Sequence, residues 1–176
     1  MRIGVTGVPG SGKTTISKLL IEKYNMEYIS VNELIEKKNL WTTIDARDNA
    51  KVVNMIALKR ELEKLPENCI VEGHLLCEFP LPLDILIILR TPLKLLETRL
   101  NEREYNDFKM KSNLYSEMLD YCTDRAKCKY CKSAVGMFEV VTNKKVEETL
   151  EEIDTIIKGD GNKFKAPWVN LTEIKI

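Results

Sequence analysis

Apolar and polar positions group along the chain into blocks that predict strands and helices in alternation. The clearest strand spans 84–90, because Ile85 to Leu89 form an unbroken apolar run of the kind found in strands buried on both faces. Shorter apolar runs predict four more strands, at 2–6, 26–30, 69–71 and 137–141. Five strands that alternate with helices predict an α/β fold, with a five-stranded parallel sheet covered by helices on both faces.

Helices are predicted where apolar residues recur every three or four positions. The predicted helices are 15–24, 33–38, a helix ending at about 65, 93–100, 113–127 and 146–157. Residues 41–48 and the tail, 160–176, are predicted to be irregular. Trp168 is expected to dock that tail onto the domain.

The ends of several helices carry recognisable signals. Asn25 and Gly159 follow predicted helix ends, where a left-handed residue commonly stops a helix. Asn32 and Thr91 precede predicted helices and are expected to act as N-caps. Pro92 then suits the first position of its helix.

A glycine-rich motif stands between the first strand and the first helix. Residues 7–14 have the sequence Gly-Val-Pro-Gly-Ser-Gly-Lys-Thr, which matches the P-loop pattern G-x-x-x-x-G-K-T. A helix N-terminus carries unpaired N–H groups and partial positive charge, and glycines let the backbone close around phosphate oxygens. Lys13 is expected to reach the β- and γ-phosphates, and the Thr14 hydroxyl is expected to ligate Mg²⁺. The motif therefore predicts a nucleoside triphosphate site.

Three residues that follow other strands are predicted to converge on the same crevice. Glu72, His74 and Arg90 qualify, because the carboxyl ends of parallel strands share one edge of the sheet. Glu72 has the position of an acid that holds Mg²⁺, although a solvated loop acid is also compatible with it. His74, the only histidine, suits either the orienting of a water or phosphate oxygen or a structural role.

Arginines cluster near a polar segment at 101–113. Arg90, Arg99 and Arg103 are three of the seven arginines in the chain, and guanidinium groups match the charge on a transferring phosphoryl group. Arg103 is interpreted as a finger on a segment that closes over the site. Arg99 is equally compatible with the helix surface.

Cys122, Cys128 and Cys131 have the spacing C-x₅-C-x₂-C. Structural zinc usually takes four ligands and this spacing supplies three, so reduced thiols on a helix are the default interpretation and a metal site is the alternative. The lysines among these cysteines indicate either a basic patch for a partner or RNA, or a solvated face.

Composition narrows the classes of function. The 176 residues suffice for one domain with a full core. The 27 acidic and 27 basic residues cancel, which argues against a general polyanion binder. The longest apolar run is too short to span a membrane, and the P-loop occupies the place of a removable signal. We therefore expect a cytoplasmic protein with reduced cysteines and no membrane partner.

Several motifs together resemble the archaeal adenylate kinase family related to eukaryotic adenylate kinase isoenzyme 6. Beyond the P-loop, the resemblance rests on residues 31–34, 71–74, 89–91 and 103–106, with Asn113, Glu117 and the pair Pro167-Trp168. It covers nearly the whole chain. It implies one P-loop nucleoside-monophosphate (NMP) kinase domain over 1–176, with an NMP-binding region at about 30–53 and a lid at about 102–112.

The resemblance also implies roles for single residues. ATP would be bound by Gly10, Gly12, Lys13, Thr14, Thr15 and Arg103, with Asn143 and Lys144 approaching the adenine. Two residues depart from the family pattern. Glu104 stands where a glycine is usual after the lid arginine. Glu36 stands where some relatives have an arginine near the AMP phosphate, a role that Arg47 could fill.

The leading hypothesis is Mg²⁺-dependent, reversible phosphoryl transfer from ATP to AMP, giving two ADP. Lys13, Arg103 and His74 would be catalytic, and Thr14 and Glu72 would hold the metal. The alternative is an ATP-driven assembly factor that binds a ribosomal protein or the small ribosomal subunit, because eukaryotic relatives are associated with small-subunit maturation. A kinase acting on a hydroxyl group is a third hypothesis. It needs a base, and only His74 is evident.

Overall fold

The computed structural model describes residues 1–47, 49–103, 105–142 and 145–167. Glu104, Asn143, Lys144 and Trp168 lie outside these ranges, so the expectations for them stay predictions. The strands are β1 (Arg2–Thr6), β2 (Glu27–Ser30), β3 (Trp41–Ile44), β4 (Lys51–Val53), β5 (Cys69–Glu72), β6 (Ile85–Arg90) and β7 (Gly136–Val141). The α-helices are α1 (Lys13–Tyr24), α2 (Val31–Lys38), α3 (Met55–Leu62), α4 (Leu93–Asn101), α5 (Asp107–Met118), α6 (Tyr121–Tyr130) and α7 (Val146–Ile157).

A parallel sheet with the strand order β2-β5-β1-β6-β7 forms the centre of the fold, which confirms the predicted five-stranded sheet. Val5 pairs with Glu72 and Thr6 pairs with Ile88, so β1, β5 and β6 end at the same edge. The P-loop follows β1 at this edge, and a short 3₁₀ helix at His74–Cys77 follows β5.

Helices cover both faces of this sheet. On β6, Leu86 and Ile88 pack with α2, α3, α4 and α6, whereas Ile87 and Leu89 pack with α1 and α7. All four side chains are fully buried. Each such side chain contributes about 1.5 to 3 kcal/mol by leaving water. The unbroken apolar run is thus explained by a strand with a core on each side.

A hairpin occupies the stretch predicted to be irregular at 41–48. There β3 pairs antiparallel with β4, so that part of the prediction is wrong. Its residues, Trp-Thr-Thr-Ile, are aromatic and β-branched, types that favour strands. Trp41 packs against the core, and Asn49 supplies a positive φ of 56° in the turn.

The structure confirms some of the residues predicted to start or end helices and contradicts others. Asn25 and Gly159 have φ of 50° and 93°, which confirms both as left-handed residues at helix ends. Asn32 does not cap α2, however. The helix begins earlier, and the Ser30 hydroxyl accepts a hydrogen bond from the Glu33 amide at 3.4 Å.

Thr91 is not a side-chain cap either. Its amide donates to Glu117 Oε1 at 2.8 Å, and its hydroxyl bonds the Thr142 hydroxyl at 2.7 Å. Pro92 itself is the N-cap residue of α4. These contacts tie the end of β6 to α5 and to the end of β7.

The helix predicted at 113–127 is two helices. α5 begins earlier, at Asp107, where the Asn106 side chain accepts from the Lys109 amide. Asp120 has a left-handed φ of 54°, which interrupts the helix and separates α5 from α6. None of the helices in the described ranges is long and apolar enough to cross a membrane.

Candidate active site

The P-loop turns sharply at its glycines between β1 and α1. Gly10 and Gly12 have φ of 91° and 92°, a conformation that strains any residue with a side chain. A Cβ at Gly10 would also approach Leu96 Cδ1 to 2.9 Å. Because α1 begins at Lys13, directly after this turn, its first N–H groups are available to an anion.

A cavity of about 960 Å³ opens at the carboxyl edge of the sheet. The predicted site residues that line it are Gly10, Gly12, Lys13, Thr14, Thr15, Glu72, His74 and Arg103. Other parts of the wall come from α2, β4 and α5. The structure therefore brings together residues that are far apart in the sequence.

The Glu72 carboxylate is the centre of a small hydrogen-bonded cluster. Its Oε1 accepts from the Thr14 hydroxyl at 3.4 Å and from the Tyr28 hydroxyl at 3.1 Å. Burial and the charge of Glu72 raise the pKa of Tyr28 to about 12, so Tyr28 remains a donor. Mg²⁺ prefers hard oxygen ligands and uses few protein groups when phosphates complete its shell, so Thr14 and Glu72 fit this ion. Tyr28 was not predicted as a site residue, because nothing in the sequence of this edge strand distinguishes it.

Lys13 and His74 have altered protonation equilibria. Lys13 Nζ donates to the Val8 carbonyl at 3.0 Å. Burial lowers the pKa of Lys13, and the charge of Glu72 opposes this shift. Burial, reinforced by the charge of Lys13, lowers the pKa of His74 to about 4. His74 is therefore a neutral imidazole at pH 7, able to donate one hydrogen bond and accept another.

Arg99 is half-buried and holds the P-loop in place. One of its terminal nitrogens donates to the Gly10 carbonyl and to the Thr142 hydroxyl, both at 3.3 Å. The other donates to the Thr142 carbonyl at 3.3 Å. This replaces the surface interpretation of Arg99 with a structural link between the P-loop and the end of β7.

Arg90 does not line the cavity, so the prediction that it joins the crevice is wrong. Its side chain is buried and pairs with Glu117 at 3.1 Å, with Glu139 at 2.6 Å and with Asp120. Burial alone would lower the pKa of Arg90, but these carboxylates outweigh it and raise the pKa. Arg90 thus connects β6 to β7 and to the α5–α6 junction.

The α2 and hairpin side of the cavity carries Glu36 and Lys51. These two side chains form an ion pair with each other. Arg47, which the sequence offered in place of Glu36, does not line the cavity. It pairs with Asp45 at 2.6 Å and lies 5.4 Å from the centroid of the Phe108 ring.

The three cysteines of the C-x₅-C-x₂-C pattern are not equivalent. Cys122 is buried and lines the cavity, and the neighbouring Cys77 together with burial raises the pKa of its thiol. Cys77 also donates to the His74 carbonyl at 3.1 Å. Cys128 and Cys131 are exposed. Within the described parts of the chain, no group of three or more His, Cys, Asp or Glu residues is placed to hold a metal ion.

One side of α5 is part of the site and was missed as such. Lys109, Ser112, Asn113 and Ser116 all line the cavity. The available signal was a polar stripe at helical spacing, three, four and seven residues after Lys109. Lys109 and Ser112 were assigned to the lid at 102–112, and Asn113 and Ser116 to the helix predicted at 113–127, so the stripe was not recognised.

Comparison with known proteins establishes the family. A family model described as an AAA domain matches residues 3–120. A "Putative adenylate kinase" from Methanosarcina barkeri is 35% identical, and the alignment covers 97% of this chain and 99% of that protein. Another with the same name, from Methanocaldococcus jannaschii, is 33% identical, with 90% and 86% covered. The chain belongs to the archaeal adenylate kinase family.

Solved structures place this archaeal adenylate kinase relative among the P-loop kinases by fold. Shikimate kinase from Bacteroides thetaiotaomicron has a TM-score of 0.59 at 16% identity, covering 90% of this chain and 98% of that one. Deoxyadenosine kinase from M. mycoides with bound dATP has a TM-score of 0.57 at 18% identity, covering 90% and 100%. At these identities the likeness concerns the fold alone.

Proposed function

We propose that the chain transfers a phosphoryl group from ATP to AMP, giving two ADP. The observation that carries this proposal is one cavity in which the P-loop, Glu72 and Arg103 share walls with α2, β4 and α5. Its volume of about 960 Å³ lies near the upper end of small-molecule pockets, which suits two nucleotides better than one. The name shared by the archaeal relatives supports AMP as the acceptor.

In this proposal the protein aligns the two nucleotides and neutralises charge. Lys13 and Arg103 stabilise the negative charge on the oxygens of the transferred phosphoryl group. The attacking AMP phosphate oxygen is already anionic at neutral pH, so no residue has to remove a proton. The neutral His74 donates a hydrogen bond to a phosphate oxygen or to a water molecule. Alignment of the reacting atoms supplies the rest of the acceleration.

We assign the ATP phosphates to the P-loop, through Gly10, Gly12, Lys13, Thr14 and Thr15. Thr14 and Glu72 would hold Mg²⁺, which neutralises phosphate charge when it is bound. The NMP-binding region at 30–53 and the lid at 102–112 belong to this proposal. So do the adenine contacts of Asn143 and Lys144.

Replacement of Lys13 tests the donor site. Lys13→Ala is expected to slow AMP-dependent ADP formation at least about 100-fold, because a charge aimed at the transferring group is lost. Lys18→Ala, at an exposed position of the same helix, is the matched control and is expected to stay within about twofold. ADP formation is measured with Mg²⁺, ATP and AMP. Turnover near the wild-type rate in Lys13→Ala would contradict the assignment.

A screen of acceptors tests the reaction itself. The wild-type chain is assayed with ATP and each NMP or deoxy-NMP, with shikimate and deoxyadenosine as hydroxyl acceptors, and with no acceptor. We expect AMP to give the highest rate. ATP hydrolysis that ignores AMP but rises with a ribosomal protein would favour the assembly-factor hypothesis instead.

A further inference from the structure

The cavity-lining side of α5 is a wall that the mechanism above leaves unused. Lys109, Ser112, Asn113 and Ser116 share this side of the helix and line the cavity. On most helices of a globular domain the polar stripe faces solvent. Here it lines a cavity that is open on one side, so polar groups of a bound ligand can reach it.

Lys109 is the cation of this wall. Its Nζ lies 4.7 Å from the centroid of the Tyr105 ring, a contact that orients the ammonium without neutralising it. No carboxylate in the described ranges lies within ion-pairing distance of Lys109.

Asn113 provides a second observation one helical turn away. Its Nδ2 atom is buried and has no hydrogen-bond partner among the residues the structure describes. A buried N–H without a partner costs about 1 to 3 kcal/mol. Since Asn113 lines the same wall as Lys109, an anionic oxygen in the cavity could accept from both side chains.

The distribution of charge narrows what that anion is. Lys13 and the P-loop amides serve the ATP phosphates in the proposed function, and Arg103 serves the transferred phosphoryl group. Lys51 also lines the cavity, but it is paired with Glu36. The acceptor brings its own phosphate dianion into this space. Among the described residues, Lys109 is the remaining cation of the lining without a carboxylate partner.

We propose that Lys109 binds the phosphate of the phosphoryl acceptor and that the Asn113 amide donates a second hydrogen bond to that phosphate. The inference rests on the proposed function and deepens it. In this assignment α5 is the wall of the cavity that binds the acceptor. It recognises the phosphate of the acceptor and not its base.

The test compares AMP with adenosine, which lacks the phosphate. Binding of each is measured by titration calorimetry in the presence of Mg²⁺ and a non-hydrolysable ATP analogue. Lys109→Gln is expected to weaken AMP binding about 10- to 100-fold, the effect of one charge-assisted hydrogen bond. Its adenosine affinity is expected to match the wild type within about twofold, because the lost contact is to the phosphate.

Matched variants distinguish a specific loss of AMP affinity from a general disturbance of the fold. Lys111→Gln removes an exposed charge from the same helix and is expected to leave both affinities unchanged. Asn113→Leu, which loses a neutral donor, is expected to weaken AMP about 3- to 10-fold with adenosine unchanged. Lys109→Arg keeps the charge and is expected to recover part of the AMP affinity. If Lys109→Gln does not fold, Asn113→Leu carries the same comparison.

Three outcomes would overturn the inference. An equal loss for AMP and adenosine would show that Lys109 does not act through the phosphate. Unchanged AMP binding in Lys109→Gln would refute the assignment while leaving the proposed function intact. A wild-type chain that binds no nucleoside monophosphate would refute the proposed function, and the assignment of Lys109 with it.

Discussion

The charge state of His74 follows from where its side chain lies. Burial and the neighbouring charge of Lys13 both disfavour the imidazolium form, so its pKa falls to about 4. In the unfolded chain the same group has an ordinary pKa of about 6.5. Between these two values the unfolded chain binds more protons at His74 than the folded chain does.

We therefore expect His74 to make the folded state less stable as the pH falls from about 6.5 to about 4. The loss amounts to about 1 to 3 kcal/mol, because acidification favours the state that takes up the proton. Urea unfolding measured at several values from pH 4 to 7.5 gives this dependence. His74→Gln is expected to remove that part of the slope. The same slope in both proteins would contradict the lowered pKa.

Single residues differed in how far the sequence could predict their positions. Lys13, Thr14 and Glu72 were placed correctly in the cavity, because a local motif and a strand end determine where they lie. Arg90 was placed wrongly. Its carboxylate partners lie 27, 30 and 49 positions away in the sequence, so no local pattern shows that they surround it.

Among the elements, the junction of β6, β7, α5 and α6 depends on Arg90. Arg90→Met is expected to lower the free energy of unfolding by about 3 to 5 kcal/mol, because Glu117 and Glu139 would stay buried without the positive charge of Arg90. Urea unfolding measures the loss. Arg60→Met, at an exposed position of α3, is the control and is expected to change stability by less than about 0.5 kcal/mol.

A second variant shows whether unpaired charge is the cause of that loss. Adding Glu117→Gln and Glu139→Gln to Arg90→Met removes the two buried acids and is expected to restore part of the stability. If the triple variant is no more stable than Arg90→Met, lost packing and not buried charge explains the effect.

Elements were predicted well where their environment is simple. The sequence pattern shows β6 clearly, since a strand with a core on both faces must be apolar throughout. The β3–β4 hairpin was missed because it is short and its exposed residues weaken the pattern. The first turns of α5 were taken for part of a lid. A helix that turns polar groups toward a cavity has the same composition as a solvated segment.

At the scale of the whole molecule, ligands that fill the cavity contact several elements at once and bind only the folded chain. A non-hydrolysable ATP analogue with Mg²⁺, at about 100 times its Kd, is expected to raise the Tm by about 5 to 10 °C. Thermal unfolding followed by circular dichroism measures the shift. We expect removal of the metal with EDTA to reduce it, because in the proposed function Thr14 and Glu72 hold the Mg²⁺ ion that neutralises phosphate charge.

Lys13→Ala provides the control for this measurement. The variant is expected to show little of the shift at the same ligand concentration, because the phosphates lose their main cation. A shift of wild-type size in Lys13→Ala would mean that the ligand stabilises the chain from somewhere other than the P-loop.

The buried Arg90 cluster also fixes one end of α5, so a tilt of this helix would displace its other end. Glu117, near the end of the helix, accepts hydrogen bonds from the Arg90 side chain and from the Thr91 amide, and it is the fixed point of such a tilt. Lys109 lies eight residues earlier, about 12 Å from Glu117 along the helix axis. A tilt of α5 by about 10° about Glu117 would displace Lys109 by about 2 Å, enough to make or break a hydrogen bond. Arg90, which does not line the cavity, therefore anchors one end of the helix that carries Lys109.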